Sequence, residues 1–386
     1  MTSNITPSIK YIGVDDLDID LFESQYVVPN GMAYNSYLIE DEKIAIMDTA
    51  DARKGAEWGT NLEEALAGRK PTYLVVHHME PDHASLVAEV AEKYPEVKIV
   101  TSAKAITMLG NFFPEKDLTK NCMEIKNGDT LELGEHTLTF VAAPMVHWPE
   151  VMVSYDSKDK VLFSADGFGK FGALSADEDW ACEARRYYFN ICGKYGAPVQ
   201  KLLKAAATLD IQIICPLHGP ILKENLDYYI GLYDTWSKYG VETEGVLIAY
   251  ASIHGGTKAV AEKVAEMFKE KNIGKVAITD LCRDDQAEAI EDAFRMNRLV
   301  LAAASYDASV FPPMYDFIHH LEMKAYQNRK VGIIENGSWA PTAAKTMKAL
   351  LEGCKNIEIV EPTVTIWSRM KESDIPQLQA LVDAMV

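Results

Sequence analysis

Two patterns of hydrophobic and polar positions divide the chain. Beyond residue 244, short apolar runs alternate with amphipathic segments. Val246-Leu247-Ile248-Ala249-Tyr250 ends in a Gly-rich turn, and Thr257 to Lys271 then reads as an amphipathic helix. The pattern recurs with runs at 276–279, 299–303, 331–334 and 357–360, followed by helices near 286–296, 313–326, 341–353 and 374–385. Near-continuous apolar strands alternating with helices predict a five-stranded parallel, doubly wound α/β sheet covered on both faces. Ligands on such a sheet bind at the carboxyl ends of its strands.

The preceding residues read differently. Apolar runs at 36–39 and 44–47 flank a charged turn, and those at 131–133 and 137–141 form a second hairpin pattern. Further strands are expected at 74–76, 161–164 and 211–214, with helices near 84–94 and 180–205. The pattern changes near Tyr239-Gly240, which predicts a mixed domain over 1–243 and a parallel α/β domain over 244–386.

Length and charge sharpen this division. A chain of 386 residues fits two domains. The formal charge of −19 is uneven: −15 over 1–243 and −4 over 244–386. Such acidity disfavours nucleic acid and anionic membranes, both of which recruit Lys and Arg. The first residues lack the basic and apolar regions of a signal peptide, and no apolar run approaches the roughly 18 residues of a membrane span. The six cysteines are scattered without a C-x-x-C pair. A reducing cytoplasm is expected, with neither a disulfide framework nor a cysteine-ligated iron centre.

The candidate chemistry lies at strand ends. His78-Met79-Glu80-Pro81-Asp82-His83 directly follows an apolar strand and offers two imidazoles and two carboxylates within six residues. His147, Asp166 and His218 each follow another predicted strand. A lone histidine at a strand end is ordinarily a satisfied polar residue. Buried carboxylates and imidazoles crowded into one loop are costly unless a cation holds them. His77 alternates with His78 along the strand and is expected to face the other way. Four imidazoles and three carboxylates, with Asp166 as a bridge, give each of two ions two nitrogens and two oxygens. This hard, thiolate-free set suits iron or manganese better than zinc.

These residues resemble a metallo-β-lactamase-type domain, whose usual motif is H-x-H-x-D-H; here Glu80 takes the second His position. H-x-E-x-D-H with His147, Asp166 and His218 is similar to the flavodiiron proteins, or A-type flavoproteins. So are Tyr34-Asn35-Ser36-Tyr37-Leu38, His147-Trp148-Pro149 and the stretch from Phe163 to Gly169. The resemblance covers essentially the whole chain. It implies an αββα sandwich in which one iron takes His78, Glu80 and His147, the other takes Asp82, His83 and His218, and Asp166 bridges.

In the C-terminal part, Ser252-Ile253-His254-Gly255-Gly256-Thr257 stands between the first strand and its helix. Glycines and hydroxyls at a helix N-terminus suit an anion. The loop matches neither the P-loop nor the dinucleotide fingerprint, so a mononucleotide, FMN, is expected. This part resembles flavodoxin. By that resemblance Ser305-Tyr306-Asp307-Ala308 and Asn336-Gly337-Ser338-Trp339 flank the isoalloxazine, with Tyr306 and Trp339 as stacking candidates. Packing of Trp339 between helices is the competing expectation.

The resemblance implies an enzyme that reduces dioxygen to water, nitric oxide to nitrous oxide, or both, detoxifying these gases in an anaerobe-like cytoplasm. FMNH₂ and two ferrous ions hold the four electrons that dioxygen needs; coupling two nitric oxides needs two. Trp148, Tyr187 and Tyr188 are candidates to surround the irons, or simply core residues. The family also implies rubredoxin or a reduced deazaflavin as donor, and head-to-tail homodimers, alone or paired into a homotetramer. A binuclear metallohydrolase fused to an FMN-binding electron-transfer module is the alternative.

Overall fold

The computed structural model describes residues 2–386. They divide into two compact units, one running to Tyr188 and including Ala197–Asp234, the other formed by Phe189–Gly196 and Thr235–Val386. Among the described residues, no helix is long and apolar enough to cross a membrane.

The first unit contains two large sheets. One has seven strands, in the order Ser3–Asn4, Ile9–Tyr11, Tyr37–Ile39, Ala45–Met47, Tyr73–Val75, Lys98–Ser102 and Cys122–Ile125. The other has five, in the order Thr130–Glu132, Thr137–Ala142, Met152–Asp156, Val161–Phe163 and Ile213–Cys215. Tyr37, Met47, Val75 and Val100 of the first share one buried cluster with Leu138, Phe140, Val161 and Phe163 of the second. Their alternate neighbours Leu38, Ile46, Leu74 and Ile99 are equally buried. Both faces of the larger sheet are therefore covered, and Ala103–Phe112 is one helix packed on it. This is the helix–sheet–sheet–helix sandwich that the resemblance implied.

Both hairpins form as antiparallel pairs, Tyr37–Ile39 with Ala45–Met47 and Thr130–Glu132 with Thr137–Ala142. The helices differ from expectation. The segment near 84–94 is two pieces, Pro81–Ala84 and Val87–Lys93. Apolar periodicity runs through the break, so the sequence pattern conceals it. The segment near 180–205 is helical over Trp180–Tyr187, widens into a π-turn at Tyr188–Cys192, narrows over Gly193–Tyr195, and resumes at Gly196–Ala206. Gly193 and Gly196 lower helix propensity at the break.

The second unit holds the parallel sheet. Its main strands run Lys275–Asp280, Thr243–Ala251, Met296–Tyr306, Gln327–Asn336 and Lys355–Ile366, every neighbouring pair parallel. Apolar residues of Gly256–Glu270 and Ile375–Met385 share a core with this sheet, including Val260, Val264, Leu378 and Leu381. In chain order the strands lie 2-1-3-4-5, so successive connections reverse direction beside the first strand. That reversal leaves a crevice at the carboxyl ends.

Candidate metal centre and cofactor pocket

The strand directions of the sandwich bring distant residues together. Thr137–Ala142 and Val161–Phe163 are each antiparallel to Met152–Asp156, and Ile213–Cys215 is parallel to Val161–Phe163. Two antiparallel steps restore the direction, so His147, Asp166 and His218 leave the same rim. The loop after Tyr73–Val75 supplies the other four residues, with Asp82 and His83 on the turn Pro81–Ala84.

Two groups of donor atoms result: His78, Glu80, His147 and Asp166, then Asp82, His83 and His218. In the first, Glu80 Oε2 lies 3.1 Å from His78 Nε2 and 3.0 Å from His147 Nε2. In the second, Asp82 Oδ2 lies 3.3 Å from His83 Nε2 and 3.2 Å from His218 Nε2. Asp166 faces both groups. Its Oδ2 is 3.1 Å from His147 Nε2 and 3.4 Å from His78 Nε2. Its Oδ1 is 3.5 Å from His83 Nε2 and 3.9 Å from His218 Nε2.

Protein alone satisfies this cluster poorly. Both carboxylate oxygens of Asp82 and both of Asp166 are buried without a hydrogen-bond partner. His83 Nε2 and His218 Nε2 face each other at 3.0 Å. With its Nδ1–H on the Ala33 carbonyl, a neutral His218 can only accept at Nε2 from His83 Nε2–H, which leaves His83 Nδ1 buried without a partner. Burial, then the Glu80 carboxylate, pushes Asp82 up to about 6. Burial and neighbouring His218 hold His83 well below its usual value. Burial opposes charge on Asp166 too, but His78 and His147 outweigh it and keep the carboxyl ionised. At His147 burial is outweighed by the nearby Asp166 and Glu80 carboxylates, which lift it to about 9. A pair of divalent cations removes these conflicts at once, since each takes imidazole nitrogen and carboxylate oxygen without a proton. The residues present fit a binuclear, oxygen- and nitrogen-ligated metal pair.

Outer partners aim the rings. His78 Nδ1 is 2.9 Å from Glu150 Oε1, which also accepts from the Met79 amide at 2.9 Å. His218 Nδ1–H donates to the Ala33 carbonyl at 2.7 Å. Both contacts leave Nε2 free for a metal. Asn35 clamps the His218 loop by donating to the carbonyls of Pro216 and Gly219. His77 takes a structural role: its ring joins Asp48 and Ser154, and its amide donates to Asp48 Oδ1 at 2.7 Å. Trp148 lies edge-on to His78 with centroids 5.1 Å apart, and Tyr187 lies 5.5 Å from His218. Tyr188 packs edge-on against Tyr233.

Sequence reasoning did not single out Glu150, Asp48 or Glu23. Glu150 stands three residues after His147, a signal available only once that loop is known to fold onto His78. Glu23 occupies a hairpin tip between Leu21–Phe22 and Tyr26–Val27, where it and Ser24 both have left-handed backbone (φ 48° and 58°). Desolvation, then the Glu80 carboxylate, pushes Glu23 up to about 7. Replacing Glu150 by Gln is expected to weaken metal retention about 10–100-fold, the usual effect of losing such a partner. Metal content measured during competition with a chelator checks this.

In the second unit a cavity of about 690 Å³ opens at the carboxyl ends of the strands. Ser252, Ile253, His254, Gly256 and Thr257 line it, as do Ser305 to Ala308 and Asn336 to Trp339. Gly255, the remaining predicted residue of the first loop, caps the helix Gly256–Glu270 with φ 85°, and its amide donates to Ser252 Oγ. Trp339 is 87% exposed, which excludes packing between helices; with Tyr306 it borders the cavity. The Ser305–Ala308 loop is a tight turn, with Asp307 and Ala308 in left-handed backbone and Ser309–Val310 pairing back onto Ser305 and Tyr306. The sequence reading did not single out Ala304, Ala340, Thr342, Ser368 or Arg369, which also line the cavity. Ser368 and Arg369 follow the last strand, so only the sheet order shows that they reach it.

Comparison with known proteins agrees with this architecture. Residues 32–219 match the family described as "ODP family beta lactamase". The chain is 27% identical to the anaerobic nitric oxide reductase flavorubredoxin of Aliivibrio salmonicida, over 88% of this chain and 70% of that protein. The structure of rubredoxin oxygen:oxidoreductase from the anaerobe Desulfovibrio gigas is similar with a TM-score of 0.92 and 25% identity, covering 100% of this chain and 98% of that one. The flavodiiron protein from Giardia intestinalis shares the fold, with a TM-score of 0.93 and 23% identity over 100% of this chain and 96% of its own. The fold and site thus define a metallo-β-lactamase-type domain joined to a flavodoxin-like domain. Its likeness to rubredoxin oxygen:oxidoreductase and to the Giardia flavodiiron protein extends over the whole chain.

Proposed function

We propose that this chain is an FMN-dependent, non-haem diiron oxidoreductase that reduces dioxygen to water, with nitric oxide as a second or shared substrate. Residues 1–243 hold the iron pair and 244–386 the flavin. The observation that carries the reading is Asp166, whose two buried oxygens turn towards separate groups of imidazole and carboxylate donors. His78, Glu80 and His147 hold one iron, and Asp82, His83 and His218 the other. The relatives support the chemistry: one is named an oxygen oxidoreductase and another a nitric oxide reductase.

When bound, the flavin and the iron pair supply the electrons that either gas requires and the positions at which it is reduced. The chain's own residues prepare that site. Glu150 and the Ala33 carbonyl fix the ring nitrogens of His78 and His218. Trp148 and Tyr187 wall the histidines and limit water. The loops at 252–257, 305–308 and 336–339 hold FMN, its phosphate at the N-terminus of Gly256–Glu270. Tyr306 and Trp339 offer faces to the ring. A rubredoxin-type protein or a reduced deazaflavin supplies electrons, and a head-to-tail homodimer, alone or doubled to a homotetramer, is the proposed assembly. The word rubredoxin in the first relative's name supports the donor.

The deciding experiment is anaerobic reduction of the purified protein followed by parallel assays with each gas. Consumption of dioxygen without accumulation of peroxide is expected, at a rate equal to or above that with nitric oxide. Clearly faster turnover of nitric oxide reverses the preference. Two zincs per chain with ester or lactam hydrolysis replaces the reading by a hydrolase.

A further inference from the structure

We infer that Arg369, on the loop after the last strand of the parallel sheet, binds the flavin phosphate and makes the pocket selective for FMN over flavins without a phosphate. The inference rests on the flavin reading of that pocket. It starts from a charge problem. The chain carries −19 and FMN brings a phosphate of nearly −2. Of the residues lining the cavity, Asp307 adds another negative charge, and Arg369 is the only Lys or Arg. A helix N-terminus contributes about half a charge, which leaves most of the dianion unbalanced without Arg369.

Placement favours the phosphate end of the pocket. A Cβ built on Gly256, inside the predicted phosphate loop, would stand 2.5 Å from the Ser368 carbonyl oxygen. The loops therefore touch, backbone against backbone, beside the start of the helix Gly256–Glu270. The contact is built rather than incidental. Ser368 has left-handed backbone, φ 66°. Its carbonyl accepts from Asn336 Nδ2 at 3.1 Å, and its hydroxyl bonds Ser338 Oγ at 2.9 Å. One partner is the last residue of Gln327–Asn336 and the other lies in the loop after it, so Arg369 leaves a turn anchored on its neighbouring strand end.

The guanidinium is also uncommitted. The Lys371 ammonium is occupied by the carbonyls of Trp367 and Arg369. Among the described residues, no carboxylate pairs with the exposed Arg369 side chain, although the chain has 57 Asp and Glu residues. An arginine kept apart from so many acids, at the mouth of an anion pocket, is available to a ligand. Its planar fork matches two phosphate oxygens at once, which a lysine does not reproduce.

The test uses the full chain stripped of flavin and titrated with FMN and with riboflavin, followed by flavin fluorescence. The unaltered protein is expected to prefer FMN. Arg369→Gln is expected to weaken FMN about tenfold or more, with riboflavin changed by less than about twofold, and Arg369→Lys to recover part of the loss. FMN affinity should fall more steeply with salt in the unaltered protein than in Arg369→Gln. Equal losses for both flavins, or unchanged FMN binding in Arg369→Gln, overturn the inference while leaving the flavin pocket intact. An unaltered chain that binds neither flavin overturns the pocket reading and the inference with it.

Discussion

Replacing Asp166 by Ala is expected to abolish the binuclear centre. Iron content should fall from two per chain to one or fewer, and gas reduction by about a thousandfold or more, since loss of a direct ligand exceeds the 10–100-fold typical of an outer partner. The reason is positional. Asp166 is buried, and its oxygens are shared between His147 and His78 on one side and His83 and His218 on the other. Alanine leaves Glu80 and Asp82 within their own groups but no anion shared between the two, so binding a second cation beside the first becomes unfavourable. The fold should persist, because the sandwich core of Tyr37, Phe140 and Phe163 does not depend on this carboxylate. Metal analysis with circular dichroism checks both halves of the prediction. Retention of two irons in a folded Asp166→Ala protein contradicts the bridging role.

Replacing Glu80 by His restores the common metallo-β-lactamase motif and is expected to change the preferred metal. Glu80 contributes the oxygen lying about equally far from His78 and His147. Exchanging it for nitrogen gives that half of the site three imidazoles beside the Asp166 carboxylate, softer and closer to what zinc takes. Protein produced with both metals present should show a zinc-to-iron ratio raised about tenfold or more. Gas reduction should fall by about a hundredfold or more, because zinc does not change oxidation state. Iron bound as before, with activity intact, would show that Glu80 does not select the metal.

These two variants also separate what was legible at different levels. H-x-E-x-D-H is local: the residue types and spacing stand together in one loop. His147, Asp166 and His218 were legible because each follows an apolar run, and strand ends are where polar residues can gather. Of the aromatics offered either as neighbours of the irons or as core residues, Trp148 and Tyr187 lie against ligand histidines, whereas the Tyr188 ring packs on Tyr233. Glu150 and Asp48 gave no signal, since a carboxylate that orients a histidine looks like any other acidic residue until the loop is closed. The helix near 84–94 hid its break because a one-turn helix needs no change in apolar rhythm.

By itself the sequence determined the two classes of folding unit, the residue types able to hold a metal pair, and the glycine-rich loop suited to one phosphate. All of these are properties of spacing along the chain. The tertiary structure alone decided that Asp166 turns one oxygen to each donor group, that Glu150 and the Ala33 carbonyl aim two histidines, and that Arg369 lines the cavity at the strand ends. Those depend on strand direction and sheet order. Two antiparallel steps bring His147 and Asp166 to one rim, and the placement of the first and last helices on one face brings Ser368 against Gly256. Local periodicity is blind to both, because it records which face a residue takes and not which other strand that face meets.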